Sequence, residues 1–146
     1  MASRHADWLK QGQRDLDHGR RSLDGGDYEW ACFAAQQGAE KAVKAVIEKT
    51  GGTAWGHSVT ALLESLPESL RPDQPLLDAA KALDKHYIPA RYPNSHPQGA
   101  PYEYYTRAEA ECALDHAGQV IRFCEGVLAG PPAPHGAPEE CRPDAQ

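Results

Sequence analysis

The chain has 146 residues, a formal net charge of −6 at pH 7 and a hydrophobic fraction of 40%. This length predicts one domain, and the negative charge excludes a protein that coats nucleic acid by charge alone. No apolar run approaches the ~20 residues that a membrane-spanning helix needs. The first residues, "MASRHADWLKQGQRD", contain no apolar signal-peptide stretch, so we expect a cytoplasmic location.

The first predicted element is a helix over residues 3–24. Apolar side chains recur at a spacing of seven, at Leu9, Leu16 and Leu23. Gly12 and Gly19 interrupt this helix. Each either weakens it by roughly 1 kcal/mol relative to alanine or lets a neighbouring element approach closely.

The second predicted element, residues 28–50, has the strongest helical pattern, and Asp27 before it is a favourable N-cap residue. Its apolar stripe consists mostly of small side chains: Ala31, Ala35, Ala39, Ala42 and Val46. Small residues on a buried stripe predict close packing against another helix.

Three N-cap residues mark helix starts in the second half of the chain. Ser58 precedes a short apolar segment, and Asp73 precedes a helix whose apolar spacing continues to Tyr87, which Pro89 should end. The sequence "TRAE" at 106–109 predicts a capping box at the start of a long final helix.

These elements predict an all-α fold, since no stretch has the pattern of a strand. We expect an antiparallel up-and-down four-helix bundle with one extra short helix over residues 1–129. Residues 130–146 are rich in Pro and Gly and should form a disordered tail. Because the helices are rich in alanine and the core is narrow, we expect a second copy to cover part of the apolar surface in a C2 homodimer.

The cysteines and glycines give no sign of a metal or cofactor site. Cys32, Cys112, Cys124 and Cys141 form no CxxC pair and no zinc-type spacing, which favours reduced thiols over a disulfide or a metal site. The glycine-rich turns lack a phosphate-binding pattern. We therefore expect no metal and no cofactor.

The segment "HYIPARYPNSHPQGAPYEYYT", residues 86–106, differs in character from the predicted helices. It contains five tyrosines, four prolines and two histidines, and residues 81–107 carry four Lys and Arg against two Asp and Glu. Because proline restricts φ, such a loop can be ordered despite its length. An acidic chain thus has a mildly basic, aromatic loop, which is the candidate site.

Several segments together resemble a HEPN domain over residues 5–128. They are "DYEWACFAAQQGAEKAVKAVIEKTGG" with the following "HS", then "YIPARYP" and "YYTRAEAECAL". The resemblance implies an antiparallel helical bundle that dimerises. Many HEPN proteins are metal-independent endoribonucleases, often toxins paired with an MNT-type nucleotidyltransferase antitoxin.

The active sites of those ribonucleases carry an Arg and a His four to six residues apart, facing across the dimer interface. Arg91 and His96, in "RYPNSH", have this spacing. Two positions depart from the family pattern. Tyr92 stands where active members usually have a polar residue, and Gln98 stands where some toxins have a tyrosine that the partner modifies.

The chemistry of metal-independent RNA cleavage suits these two residue types. A histidine can move protons near neutral pH, and an arginine can bind phosphate oxygens with two parallel hydrogen bonds. The residues also allow other interpretations. His96 could be a solvated side chain, and Arg91 could make an ion pair or a backbone contact that holds the loop.

Three further residues are candidates for binding RNA or a nucleotide: Tyr92, Tyr87 and Lys44. Tyrosine rings can stack on bases. For Tyr87 and Tyr105 we favour a place at the helix ends, completing the core with their hydroxyls facing water, which leaves Tyr92 as the best candidate of the tyrosines. Lys44 could contact phosphate or belong to a solvated helix face. We therefore expect a HEPN endoribonuclease toxin with Arg91 and His96 as catalytic residues. The alternative is a non-catalytic HEPN module that binds a nucleotide or a nucleotidyltransferase.

Overall fold

The computed structural model describes residues 3–130, and over that range all regular structure is helical, which confirms the all-α class. The six α-helices are α1 (His5–Asp24), α2 (Tyr28–Lys49), α3 (Val59–Glu64), α4 (Gln74–Asp84), α5 (Pro101–Tyr104) and α6 (Arg107–Ala129). Short 3-10 helices cover Glu68–Leu70 and Pro93–Ser95. The predicted disordered tail lies outside the described residues except for Gly130. Among the described helices, none combines the length and apolarity needed to cross a membrane.

Helix α2 is the centre of a helical bundle. It packs against α1 and α6 over its length and also contacts α3 and α4, while α4 packs on α6. Its small residues Ala31, Ala35 and Ala39 are completely buried, as the predicted stripe requires. The bundle itself is confirmed, and the C2 dimer stays a prediction.

Helices α1 and α2 cross in direct backbone contact at a pair of glycines. A Cβ atom added to Gly12 would lie 2.7 Å from the carbonyl oxygen of Gly38, and one added to Gly38 would lie 2.8 Å from that of Gly12. Real Cβ contacts are longer. Gly12 therefore allows α2 to approach α1 closely.

Three predicted N-caps are confirmed, and two details of the capping prediction are wrong. The side chains of Ser58, Asp73 and Thr106 each accept a backbone N–H three residues ahead, at 3.0, 3.1 and 3.1 Å. Asp27 occupies the N-cap position of α2 but makes no side-chain cap, because its ψ of 71° is far from the extended backbone of the other three. At Thr106 only the threonine half of the capping box forms among the described residues.

Helix α4 is shorter than predicted. It ends at Asp84, and the N–H groups of His86 and Tyr87 donate to carbonyls only three residues back, so the chain tightens into turns before Pro89. The apolar spacing that continues to Tyr87 is therefore not helical at its end. Helix α5, inside the proline-rich loop, was not predicted.

The Asp84 carboxylate joins the end of α4 to the start of α3. It accepts hydrogen bonds from the N–H of Val59 at 2.7 Å, the N–H of Thr60 at 3.2 Å and the Ser58 hydroxyl at 3.0 Å.

We expect Asp84→Ala to lower the free energy of unfolding by about 2 kcal/mol, because donors at a helix N-terminus lose their acceptor. Urea unfolding measures this. Asp78→Ala, an exposed position of the same helix, should change it by no more than about 0.5 kcal/mol. Equal losses in both variants would contradict the role of Asp84.

Candidate functional site

The guanidinium of Arg91 lies among three aromatic rings. Its central carbon is 4.3 Å from the ring centre of Phe33, 4.8 Å from that of Tyr87 and 5.0 Å from that of Tyr92. Nε donates to the Tyr87 carbonyl oxygen at 2.8 Å, and one terminal nitrogen donates to the Tyr92 hydroxyl at 3.4 Å. We call these four residues the Arg91 cluster.

The Arg91 cluster leaves the guanidinium with spare donors. Within residues 3–130, the ion pairs involve other cations and do not include Arg91. The backbone contact that could hold the loop is present, and the predicted alternative of an ion pair is not found in that range. Aromatic faces stabilise a cation without neutralising it, so the half-buried guanidinium can still bind an anion.

His96 has partners of its own. Nε2 donates to the Pro89 carbonyl oxygen at 2.8 Å, and the ring stacks on Tyr104 with centres 4.4 Å apart and planes 15° apart. The side chain is therefore held by the loop and is not simply solvated. Because Nε2 is the donor, Nδ1 is the ring nitrogen left for chemistry. Among the described residues, the side-chain hydrogen-bond and aromatic partners of Arg91 differ from those of His96.

His96 lines a cavity of about 460 Å³ between α4 and α6. Its polar lining includes Lys85, His86, Tyr105 and His116. Tyr105 is only 8% exposed, and its hydroxyl is hydrogen-bonded to Nδ1 of buried His86 at 3.3 Å, so the prediction that this hydroxyl faces water is wrong. Burial raises the pKa of Tyr105 above its usual range and, with His116 and Lys85 nearby, lowers the pKa of His86 to about 4.

A buried carboxylate lies beside the Arg91 cluster. Glu40 Oε2 accepts from Lys44 Nζ at 3.0 Å and from His57 Nδ1 at 3.0 Å. Glu40 Oε1 accepts from the side-chain amides of Gln36 at 3.0 Å and Gln37 at 3.4 Å. Burial alone would raise the pKa of Glu40, but the hydrogen bonds from Lys44, Gln36 and His57 outweigh burial and lower it.

Lys44 is held inside this network. Its side chain is 12% exposed, and its ammonium lies 5.7 Å from the ring centre of Trp8 in addition to its ion pair with Glu40. The predicted alternative of a solvated face therefore does not describe it. Its first role is to balance the Glu40 charge.

Glu40 and the four side chains that hydrogen-bond to it form the Glu40 network. His57, one of these four, connects this network to the Arg91 cluster, and the sequence analysis did not identify it as a site residue. Its ring stacks on Tyr87 with centres 4.7 Å apart and planes 16° apart, and its carbonyl oxygen accepts from Gln36 at 3.0 Å. No local pattern links positions 40, 57 and 87. The available signal was Glu40, a charged residue on the apolar stripe of α2, since such a residue requires polar partners.

The thiols and acidic groups give no metal site in the part of the chain that the structure describes. Cys32, Cys112 and Cys124 are free, and no group of three or more His, Cys, Asp or Glu there could hold a metal ion. Burial raises the pKa of Cys32 to about 12, with Glu109 and Glu29 adding to the effect. The buried thiols are therefore packing groups.

One protein family and several individual proteins are similar to this chain. The HEPN domain model matches residues 5–127. The crystal structure of TT1696 from Thermus thermophilus is 50% identical, covering 86% of this chain and 98% of that one, with a TM-score of 0.84. The structure of ST0689, an archaeal HEPN homologue, is 41% identical over 87% of this chain and 99% of that one, with a TM-score of 0.75. A protein of Methanocaldococcus jannaschii named "Putative toxin MJ1304" is 25% identical over 83% of this chain and 86% of its own length.

Proposed function

Because this chain belongs to the HEPN domain family, we propose that it is a metal-independent endoribonuclease of that family. We further propose that it is the toxin of a pair whose antitoxin is an MNT-type nucleotidyltransferase. The observation that carries the ribonuclease proposal is the Arg91 guanidinium, half-buried among aromatic rings and free to bind phosphate. The name "Putative toxin MJ1304", given to the relative from Methanocaldococcus jannaschii, supports the toxin assignment.

In the proposed reaction, the 2′-hydroxyl of RNA attacks the adjacent phosphorus, which leaves a 2′,3′-cyclic phosphate and a 5′-hydroxyl. Arg91 stabilises the charge that develops on the phosphoryl oxygens, and His96 moves a proton. Tyr92, 47% exposed, stacks on a base beside the phosphate, with Tyr87 and Lys44 as supporting binding residues. Each base stack of this kind contributes about 1–3 kcal/mol.

A homodimer completes this proposal. In one protomer Arg91 and His96 have separate partners, so a second copy is the means of bringing the two residue types to one phosphate. Large apolar side chains are exposed near Arg91. Trp30 of α2 is 48% exposed and contacts Phe33 edge-on. Ile88 and Tyr92 are exposed on the loop that carries Arg91. An exposed apolar patch of this kind favours a protein interface.

The second candidate function is a non-catalytic HEPN module that binds a nucleotide or a nucleotidyltransferase. The separation of the Arg91 and His96 contacts favours it, as does Tyr92 at the position that is usually polar in active members. In that case Arg91 binds a phosphate group without cleaving it.

The deciding experiment measures cleavage of labelled single-stranded RNA with EDTA present. We expect the wild type to cleave, and Arg91→Ala and His96→Ala each to lower the rate by about a hundredfold or more. Arg20→Ala, which removes an exposed arginine of α1, is the matched control and should cleave at the wild-type rate.

Two results would contradict the ribonuclease proposal. Equal cleavage by all four proteins would identify a contaminating nuclease. No cleavage by the wild type, together with binding of a nucleotide or nucleotidyltransferase that Arg91→Ala loses, would establish the second candidate.

A further inference from the structure

The histidine that adjoins Arg91 in one protomer is His57. Its ring and the Arg91 guanidinium contact the same residue, Tyr87, at 4.7 and 4.8 Å from the ring centre. We propose that His57 is a catalytic base that takes the proton from the attacking 2′-hydroxyl, and that Glu40 is the positioning residue that orients it. This inference rests on the proposed ribonuclease function and adds a residue pair to that site.

The hydrogen bonds of Glu40 determine the state of the His57 ring. Apart from His57, Glu40 accepts from the Lys44 ammonium on Oε2 and from the amides of Gln36 and Gln37 on Oε1. A carboxylate that is paired with an ammonium and accepts from two amides is ionised and has no proton to give. Nδ1 of His57 must therefore be the donor in its bond to Oε2, which leaves the lone pair of the neutral ring on Nε2.

The position of the ring suits a base. Stacking on Tyr87 fixes the ring plane, and the Gln36 amide fixes the His57 carbonyl. The next residue, Ser58, caps α3 and is bonded to Asp84. The His57 side chain is nevertheless 54% exposed, so a substrate can reach it. A general base needs a carboxylate that orients the histidine and a second ring nitrogen with a free lone pair. Glu40 and Nε2 of His57 supply these two parts.

The proton balance of the step uses both histidines. The 2′-hydroxyl proton moves to Nε2 of His57 as the O2′–P bond forms. The P–O5′ bond breaks, and O5′ takes a proton from His96 in its imidazolium form. Arg91 binds the phosphoryl oxygens throughout, and solvent restores both rings. One Arg–His pair supplies only one proton-transfer group, whereas His57 and His96 supply an acceptor and a donor.

The pH dependence of kcat/KM on a single-stranded oligoribonucleotide tests this assignment, with EDTA present. A base and an acid together give a bell-shaped profile. We expect His57→Ala to lower kcat about a hundredfold or more and to remove the rise on the acidic side, and His96→Ala to remove the fall on the alkaline side. Added imidazole should restore part of the His57→Ala rate. Glu40→Gln should lower kcat at least about tenfold with little change in KM, because the amide no longer selects one ring tautomer.

The control is His18→Ala, which removes an exposed histidine of α1 and should keep the wild-type profile. If Glu40→Gln fails to fold, His57→Ala with imidazole decides alone. Cleavage that needs Arg91 but keeps its full rate and acidic limb in His57→Ala overturns this inference and leaves the proposed function standing. Absence of cleavage by the wild type, or cleavage unaffected by Arg91→Ala, overturns both.

Discussion

Replacing Gly38 with alanine is expected to lower the free energy of unfolding by about 2–3 kcal/mol, although alanine is the better helix former. The added Cβ would meet the backbone oxygen of Gly12 at 2.8 Å and the backbone nitrogen of Leu16 at 3.4 Å. Both atoms belong to the backbone of α1, so no flexible side chain can move aside. The helices must separate, and small residues on their facing stripes lose contact.

Gly126→Ala is the matched control for this prediction. Gly126 is exposed within α6, and a Cβ added there meets nothing within 4 Å. Alanine should stabilise that position by up to about 1 kcal/mol. The same substitution thus has opposite expected signs at the two glycines, and urea unfolding at constant m-value measures both. A stabilised Gly38→Ala variant would contradict the backbone contact between α1 and α2.

The crossing of α1 and α2 also affects the candidate site, because α2 carries Phe33 of the Arg91 cluster and Glu40 of the neighbouring network. Any movement of α2 displaces both side chains relative to the loop that carries Arg91. We infer that the glycine pair contributes to the geometry of the site as well as to the stability of the bundle.

The helices were predictable where local rules decide the structure. Apolar spacing placed α1, α2 and α6, and the Ser58 and Thr106 side chains marked helix starts, because capping involves residues only three apart. The end of α4 was not predictable from spacing, because Tyr87 fits the helical period while its N–H makes a turn bond. Helix α5 was missed because its proline was interpreted as a loop residue, although proline also favours the first turn of a helix.

The candidate site was predictable only in part, for a related reason. Arg91 and Tyr92 are adjacent in the chain and stay together in the fold. Phe33 comes from α2 and belongs to the Arg91 cluster, and His57 comes from the segment before α3 and stacks on Tyr87 of that cluster. Only tertiary packing brings these two residues there. The Arg91–His96 spacing predicted a common site, yet the loop turns the two side chains toward different neighbours.

The stability of the protein is expected to fall by about 3 kcal/mol as the pH is lowered from 6.5 to 4, because of His86. In the unfolded chain this histidine binds a proton below its ordinary pKa of 6.5, whereas burial lowers its pKa in the fold to about 4. Between these values the unfolded chain binds more protons, so acid favours unfolding. The contribution is complete above pH 6.5 and is lost as the pH falls through 4.

Burial and two basic neighbours of His86 make protonation of this side chain costly. Lys85 precedes it in the chain and His116 faces it from α6, so a proton on His86 adds a like charge beside both. Glu109 also lines the cavity and is the acidic group there that could offset part of the cost. The Tyr105 hydroxyl is hydrogen-bonded to Nδ1 of this ring.

Urea unfolding of His86→Gln across this pH range isolates the effect. The glutamine side chain can still accept from Tyr105 but does not titrate, so most of the loss between pH 6.5 and 4 should disappear. His18→Gln, at an exposed position, should keep the wild-type dependence. The pKa of Glu40 is lowered from 4.5, so its own contribution is present above that value and begins to be lost only below it. Of these two groups, the range from pH 6.5 to 4.5 therefore reports His86. An unchanged pH dependence in His86→Gln would show that the cavity histidine is not the titrating group.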